Sequence, residues 1–325
     1  MENFVQYVLN RGGSIKPLLI PSENLEGPSL TNPSVLVVDD KILVNIRNVN
    51  YTLYHSELNR FEHMWGPLSY IHPENDMYLR TVNHIAELND NLEITYSSKI
   101  DTSLFDNYEP QWDFVGLEDA RLVNWNDKIY AIGVRRDLDP NGSGRMEMSE
   151  LQFTPTSVKE VSRYRIPGPP PDNEYCMKNC TPIEDMPFHL LKWTNPTALM
   201  KFDPSGNPTE VIEKNSYISG YNDMRGGSQV LKYKNGYITL IHETELYTSE
   251  QGRKNATYKH RFIIWDKDFQ IQKFSSLFSF LNMKIEFSCG MARYGNDYLI
   301  TFGAQDNAAY VLRISAEAIE EFIYD

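Results

Sequence analysis

The chain has 325 residues, 41% of them hydrophobic, and a formal net charge of -13. That is enough apolar matter for a real core, and the acid excess excludes polymeric nucleic acid and anionic membrane surfaces as partners. No stretch approaches the roughly 20 apolar residues of a membrane span, and residues 1–17 lack the apolar core of a signal peptide, so a cytoplasmic protein is expected.

Residues 1–30 read as an N-terminal extension. The first regular element is "SVLVVDDKILVNIRN" (34–48). It is a short apolar strand, a polar Asp39-Asp40 turn and a second apolar strand ending at Arg47 and Asn48. The Asp pair serves the turn rather than a metal. An insert over 55–80, rich in Pro, Asn and Asp, reads as a loop and contains Trp65.

The phrase returns in "ARLVNWNDKIYAIGVRR" (120–136), with Asn126-Asp127 at the turn. Glu118, Asp119 and Arg121 stand at the start of this hairpin, and Arg135 and Arg136 close it. A second insert, 137–150, has loop composition. Lys178 and Asn179 then precede a degenerate copy, "CTPIEDMPFHLLKWTNP" (180–196), whose turn is expected at Glu184-Asp185. Cys176, Cys180 and Cys289 have no zinc-ligand spacing and read as reduced thiols.

Further along, "YNDMRGGSQ" carries Asp223 and Arg225. The copy "SQVLKYKNGYITLIHET" (228–244) turns at Asn235-Gly236 and ends at His242 and Glu243. Glu286 precedes the last copy, "CGMARYGNDYLITFGAQD" (289–306), which turns at Asn296-Asp297 and ends at Asp306. A strand to Ile314 feeds one amphipathic helix over 315–325, capped by Ser315. It is the one convincing helical pattern.

The class is therefore all-β. Five hairpin units at intervals of about 50 to 90 residues, none able to bury both faces alone, suggest a five-bladed β-propeller with a short C-terminal helix, in one domain over 1–325. A sandwich is the alternative. In a propeller, residues just before and just after each hairpin converge on one funnel. There is no nucleophile elbow, phosphate loop, dinucleotide fingerprint or His-Glu-x-x-His, and no cofactor or metal is called for.

"NPSVLVVDDKILVNIRN", "GLEDARLV", "KNCTPIEDMPFHLLKW", "GGSQVLKYKNGYITLIHE" and "IEFSCGMARYGNDYLITFGAQDNAAYVL" together resemble glycoside hydrolase family 130, the β-mannoside phosphorylases and hydrolases, and the related glycosyltransferase family 108. The resemblance runs from Asn32 to Leu312. It implies a five-bladed propeller in which Asp119 is the general acid, protonating the leaving oxygen through a sugar hydroxyl. It also implies that Arg121 braces the Asp119 carboxylate or the sugar, that Asp306 grips sugar hydroxyls, and that Lys178 and His242 bind an anion. The usual Glu-Asp-Pro-Arg reads Glu-Asp-Ala-Arg here, the usual Tyr-His-Gly reads Ile-His-Glu, and Lys192-Trp193 replace a usual His-Arg.

Catalysis is thus expected from Asp119, Glu118 and Arg121. Sugar binding falls to Asp306, Arg47, Asn48, Asp223 and Glu286, and donor phosphate binding to Lys178, Asn179, Arg135, Arg136, Arg225 and His242. The expected reaction is inverting transfer of a mannose-like sugar between a sugar phosphate or nucleotide sugar and a carbohydrate acceptor. Abundant basic residues favour phosphate over water. Two alternatives stand: a β-mannoside hydrolase using Glu243, Glu286 or Asp223 as base, and a noncatalytic glycan-binding propeller. Trp65, Trp112 and Trp193 are candidate stacking platforms. A homo-oligomer is left open.

Overall fold

The computed structural model describes residues 3–54, 69–71, 76, 78–221, 223–248 and 254–325. It is mostly β, as expected, and most of its described strands fall into five antiparallel groups in chain order, with Thr52–Tyr54 and Ser69–Ile71 paired apart from them. The first is Ser29–Val38, Lys41–Val49, Leu79–Leu88 and Ile94–Asp101. The second is Glu118–Trp125, Lys128–Arg135, Arg145–Phe153 and Val158–Arg165. These two share one nine-stranded sheet, in which Phe114–Val115 is the ninth strand, because their outer strands touch in parallel at Ile100–Val158 and Asp101–Lys159. The third group is Thr181–Pro182, His189–Trp193, Ala198–Lys201 and Glu210–Glu213. In the fourth, Arg225–Gly226 and Leu231–Tyr233 both pair with Gly236–Thr248, followed by Lys254–Asp266 and Ile271–Phe274.

The fifth group joins the two ends of the chain. Glu286–Tyr294, Asp297–Ala304 and Ala308–Ser315 are completed by Ser14–Pro17, which pairs Ser14 with Arg313 and Pro17 with Tyr310. The N-terminal residues are therefore part of the last sheet rather than an appendage. Helix α1 (Phe4–Asn10) is a second helix that hydrophobic periodicity missed. It is only two turns long, and its signal lies in the capping box of Asn3 and Gln6 rather than in a repeat. Its Phe4 stacks among Phe278, Phe280 and Phe322, the last from α2 (Ala316–Tyr324), whose Ser315 cap is as expected.

Turn chemistry places the hairpins. Asp39-Asp40 and Asn126-Asp127 have positive φ at both positions (48° and 60°, 54° and 60°), as a two-residue hairpin turn requires. The other two turns fall one residue earlier than expected. Tyr233 pairs with Gly236 and Tyr294 with Asp297, so Lys234-Asn235 and Gly295-Asn296 make the turns. In the degenerate copy the connection spans residues 183–188.

The first strands of the groups meet at the centre through buried polar bonds. Gln229 Nε2 donates to Val35 O (2.9 Å), Leu122 O (2.7 Å) and Ser34 Oγ (3.2 Å), while its Oε1 accepts from Met291 N (3.1 Å). One amide thus ties the fourth group to the first, second and fifth. Thr301 Oγ1 donates to Pro33 O (2.6 Å), and Trp125 Nε1 to Ile183 O (2.9 Å), extending the ties round to the third group.

Gln229→Leu leaves three buried backbone groups without this partner at once. The substitution is expected to cost about 3 kcal/mol or more in a urea titration followed by circular dichroism. An unchanged midpoint would show that the central ties carry no stability.

Candidate active site

A cavity of about 150 Å³ opens where the groups converge. It is built from hairpin ends: Asn32 and Arg47 from the first group, Glu118 and Asp119 from the second, Lys178 and Asn179 just before the third, His242 and Tyr258 from the fourth, and Phe287 and Asp306 from the fifth. Strand alternation decides which neighbour of each pair faces it. Arg47 lines the cavity, whereas Asn48 turns away to bond Gly27 and Ser29. Ile285 and Phe287 line it, whereas Glu286 between them accepts the amides of Phe280, Leu281 and Met283.

Glu118 and Asp119 are adjacent and yet both line the cavity, because a bulge interrupts the alternation. Asp119 has a φ of 51°, and the register shifts between Ile132 and Val134. Gly133 faces the bulge, and a Cβ there would lie 2.4 Å from Glu118 O. Asn32 (43°), Asn179 (60°) and Asp306 (48°) also hold positive φ, so four cavity residues occupy left-handed backbone. Asn and Asp are the side chains that tolerate it best.

Arg47 is the organising cation. It is buried and donates from Nη1 to Asp119 Oδ1 (2.9 Å) and from Nε to Thr81 Oγ1 (3.1 Å). Its Nη2 reaches Tyr51 and, at 3.5 Å, Glu118 Oε2. Asn32 Nδ2 donates to Asp119 Oδ1 (2.8 Å) and more loosely to Asp306 Oδ1 (3.4 Å). Arg121 lies fully buried beneath, where Nη1 donates to the backbone carbonyl of Asp119 (2.7 Å) and Nε to Gly227 O (3.0 Å). It braces the left-handed backbone of Asp119 rather than its carboxylate.

Burial is the largest influence on all three carboxyls and pushes each upward. For Asp119 the charges of Arg47 and Arg121 and the Asn32 hydrogen bond overturn it, holding this carboxyl below its ordinary range. For Glu118 and Asp306 burial prevails over Arg47, with Asp119 reinforcing it, and both are raised. Glu118 Oε1 has no hydrogen-bond partner among the described residues. Burial, with His260 and Arg225 nearby, drives His242 well below the usual histidine value. Its Nδ1 stands 3.1 Å from Gly226 O, which puts the proton on Nδ1 and leaves Nε2 an acceptor. His242 is thus a neutral acceptor, not the cation expected of an anion site.

Lys178 is exposed, and among the described residues it has no ion pair or side-chain hydrogen bond. Its charge acts on Glu118, Asp119, His242 and Tyr258. The expected arginines are committed elsewhere. Arg135 is buried against Glu147 (2.8 Å), facing away from the cavity. Arg136 bonds Gly142 O (2.9 Å) and Tyr175 (3.0 Å) at the rim. Arg225 pairs with Asp223 (2.7 Å), so both lie outside the lining although the Arg225 charge is felt at His242. Glu243 is held by Arg261 (2.7 Å).

Among aromatics, Trp112 packs beside Tyr51 and Phe114, Trp193 bonds Asn195 O, and Trp65 lies outside the described residues. The cavity aromatics are Tyr51, Phe114, Tyr258 and Phe287. Neither Asn32 nor Tyr258 was assigned a role from sequence. Asn32 had a local signal, an Asn-Pro step opening the first hairpin, whereas nothing near Tyr258 marks it.

No family model matches the chain, and no curated protein matches it. Solved structures do. A β-1,2-mannobiose phosphorylase from Listeria innocua aligns with a TM-score of 0.53 and 14% identity over 95% of this chain and 96% of that one. A structure reported for GH130 glycoside hydrolases that target β-1,2-mannosidic linkages in Candida mannan gives 0.57 and 9% over 94% of each. A GDP-Man-dependent mannosyltransferase from Leishmania mexicana gives 0.51 and 11% over 93% and 89%. The family resembled by the sequence is thus the one whose members share this fold, and at these identities the likeness is one of fold.

The carboxyl shifts fix two opposite pH signatures. A lowered folded pKa stabilises above the unfolded value, about 4, and that stability is lost as pH falls through the folded pKa. Asp119→Asn is therefore expected to destabilise at pH 7, by about 2 kcal/mol from its charged hydrogen bonds, and progressively less toward pH 3. A raised folded pKa favours the protonated form, so Glu118→Gln is expected to stabilise at pH 7 and to converge on wild type near pH 4. Denaturation midpoints across that range check both signs.

Proposed function

We propose that the chain is a single-domain, five-bladed β-propeller enzyme that transfers a mannose-like sugar, with inversion, between a phosphate-linked donor and a carbohydrate acceptor. The observation that carries this reading is the partition of the cavity. Three consecutive groups, the fifth, first and second, supply Asp306, Asn32, Arg47, Glu118 and Asp119. The remaining two supply Lys178, Asn179, His242 and Tyr258. One arc suits hydroxyls and protons, and the other holds a cation, Lys178, with the Asn179 amide and the Tyr258 hydroxyl as donors for a phosphate, while His242 Nε2 is left to accept from a hydroxyl.

In the synthetic direction the acceptor hydroxyl attacks the anomeric carbon from the face opposite the phosphate. The new C–O bond forms as the bond to phosphate breaks, and its electron pair leaves with the phosphate oxygen. The acceptor proton passes to Asp119, directly or through a sugar hydroxyl, and the depressed pKa of Asp119 presents it ionised for that role. Lys178 offsets the growing charge on the leaving phosphate. Asp306 and Asn32 orient sugar hydroxyls, and Phe287 and Tyr258 offer apolar faces to the ring. In reverse, Asp119 returns the proton to the leaving oxygen.

Hydrolysis needs a second carboxylate to activate water. Glu243, Glu286 and Asp223, the bases expected of a hydrolase, are each held by other partners and none lines the cavity, where Glu118 and Asp306 are the other carboxyls, so the preference for phosphate over water rests on Lys178. A purely glycan-binding role gives no reason for one carboxyl to be held ionised between two that burial pushes upward.

Product analysis by mass spectrometry, with mannose 1-phosphate or GDP-mannose and mixed sugar acceptors, tests the reading. Wild type is expected to form a new disaccharide, and Asp119→Asn to lose about a thousandfold in kcat while remaining folded. Lys178→Ala is expected to raise KM for the phosphate donor about tenfold or more. Release of free mannose from a β-mannoside without phosphate would favour the hydrolase instead.

A further inference from the structure

A second cavity, of about 410 Å³, lies between the first and second groups and shares no lining residue with the reaction cavity. The parallel pairing of Leu79–Arg80 with Phe114–Val115 borders it, and Gly116, two residues before Glu118, belongs to its wall. Its size is that of a small-molecule site.

Apolar side chains of Ile100, Leu117 and Leu151 line it together with polar groups of Asn83, Tyr108 and Ser149. Asp137 is fully buried on this wall. Its Oδ2 accepts from Gly116 N (3.1 Å), Tyr108 Oη (3.1 Å) and Arg135 Nη1 (3.4 Å). Its Oδ1 is buried with no hydrogen-bond partner among the described residues. A buried carboxylate oxygen in that state is an unsatisfied acceptor on the cavity wall.

The charges around it leave little room for an ion. Arg135 is spent on Glu147, Lys99 on Glu26 and Arg80 on Asp76, so no lining cation is free for an anion. Glu160 and Asp106 are both taken by Arg163 (2.6 Å each), which weakens the case for a cation. What fits is an uncharged ligand with an apolar face for the leucine and isoleucine side chains and a rim of hydroxyls that donate and accept. A pyranose has that form.

We propose that this cavity is a second, noncatalytic binding site for a neutral mono- or disaccharide, with a sugar hydroxyl donating to Asp137 Oδ1. The assignment does not depend on which reaction the first cavity performs.

The test titrates mannose, glucose, galactose, N-acetylglucosamine and β-1,2-mannobiose calorimetrically into the full chain carrying Asp306→Ala, which disables binding in the reaction cavity. At least one sugar is expected to bind still, and its affinity to fall tenfold or more when Thr102→Trp or Glu109→Trp is added to fill the second cavity from its rim. Circular dichroism confirms the fold of each. Thr102→Trp alone is expected to leave any transfer or hydrolysis activity in place. Binding that vanishes with Asp306→Ala, binding indifferent to both rim tryptophans, or no binding by any sugar overturns the proposal. A failure to find transferase activity would instead bear on the reaction cavity alone.

Discussion

The amide of Gln229 fixes the geometry on which everything else rests. Buried at the centre, it has little access to water, so each of its polar atoms must be satisfied by protein. The acceptors and donor it finds belong to first strands of three other groups, at Val35, Leu122 and Met291. Satisfying one side chain therefore sets the spacing of four strands. Those strands begin at the rim of the reaction cavity, where Asn32, Asp119, Gly226 and Phe287 stand at or near their starts. A shift at the centre is transmitted directly to the distance between Asn32 and Asp119, which a single hydrogen bond of 2.8 Å now spans.

At the rim the same logic runs against stability. Three carboxyls and one buried arginine share a small volume, and Arg47 cannot neutralise them all. The structure resolves the imbalance unequally. Asp119 receives Arg47, Asn32 and the field of Arg121 and is held ionised, while Glu118 and Asp306 are left closer to protonated. Positive φ at four lining residues adds backbone strain to electrostatic strain. Such a site is stable only because the surrounding sheets over-determine it.

Much of the architecture was legible because hairpins announce themselves locally. Asp39-Asp40 and Asn126-Asp127 turn where the polar pair breaks each apolar alternation. Lys234 and Gly295 displaced the other two turns by one residue, since Asn-Gly and Asn-Asp beside them carried equal local preference. The convergence of hairpin ends on one cavity was also legible, and Arg47, Glu118, Asp119, Lys178, Asn179, His242 and Asp306 all line it. Asn48, Glu286 and Arg135 were misplaced for one shared reason: in a strand, facing is a matter of parity, and parity depends on where bulges fall. The bulge at Asp119 is recorded only as Gly133, fourteen residues along the chain, and its meaning emerges once the strands are paired. Arg135 also had a partner in Glu147 that only sheet pairing reveals.

The fold itself leaves the chemistry open, for phosphorylase, hydrolase and nucleotide-sugar transferase all occur on it. The distinction must come from the side chains, and here the basic residues divide cleanly. Arg47, Arg121, Arg135, Arg136 and Arg225 each have protein acceptors that use their charge or their donors. Lys178 has none among the described residues, although its field reaches two carboxyls. A lysine pulled by Glu118 and Asp119 but bonded to neither stays available to a third anion. In the proposed inverting transfer the same residues serve both directions, and that anion would be the substrate's, stabilised by Lys178 as the anomeric bond breaks and released when the bond re-forms.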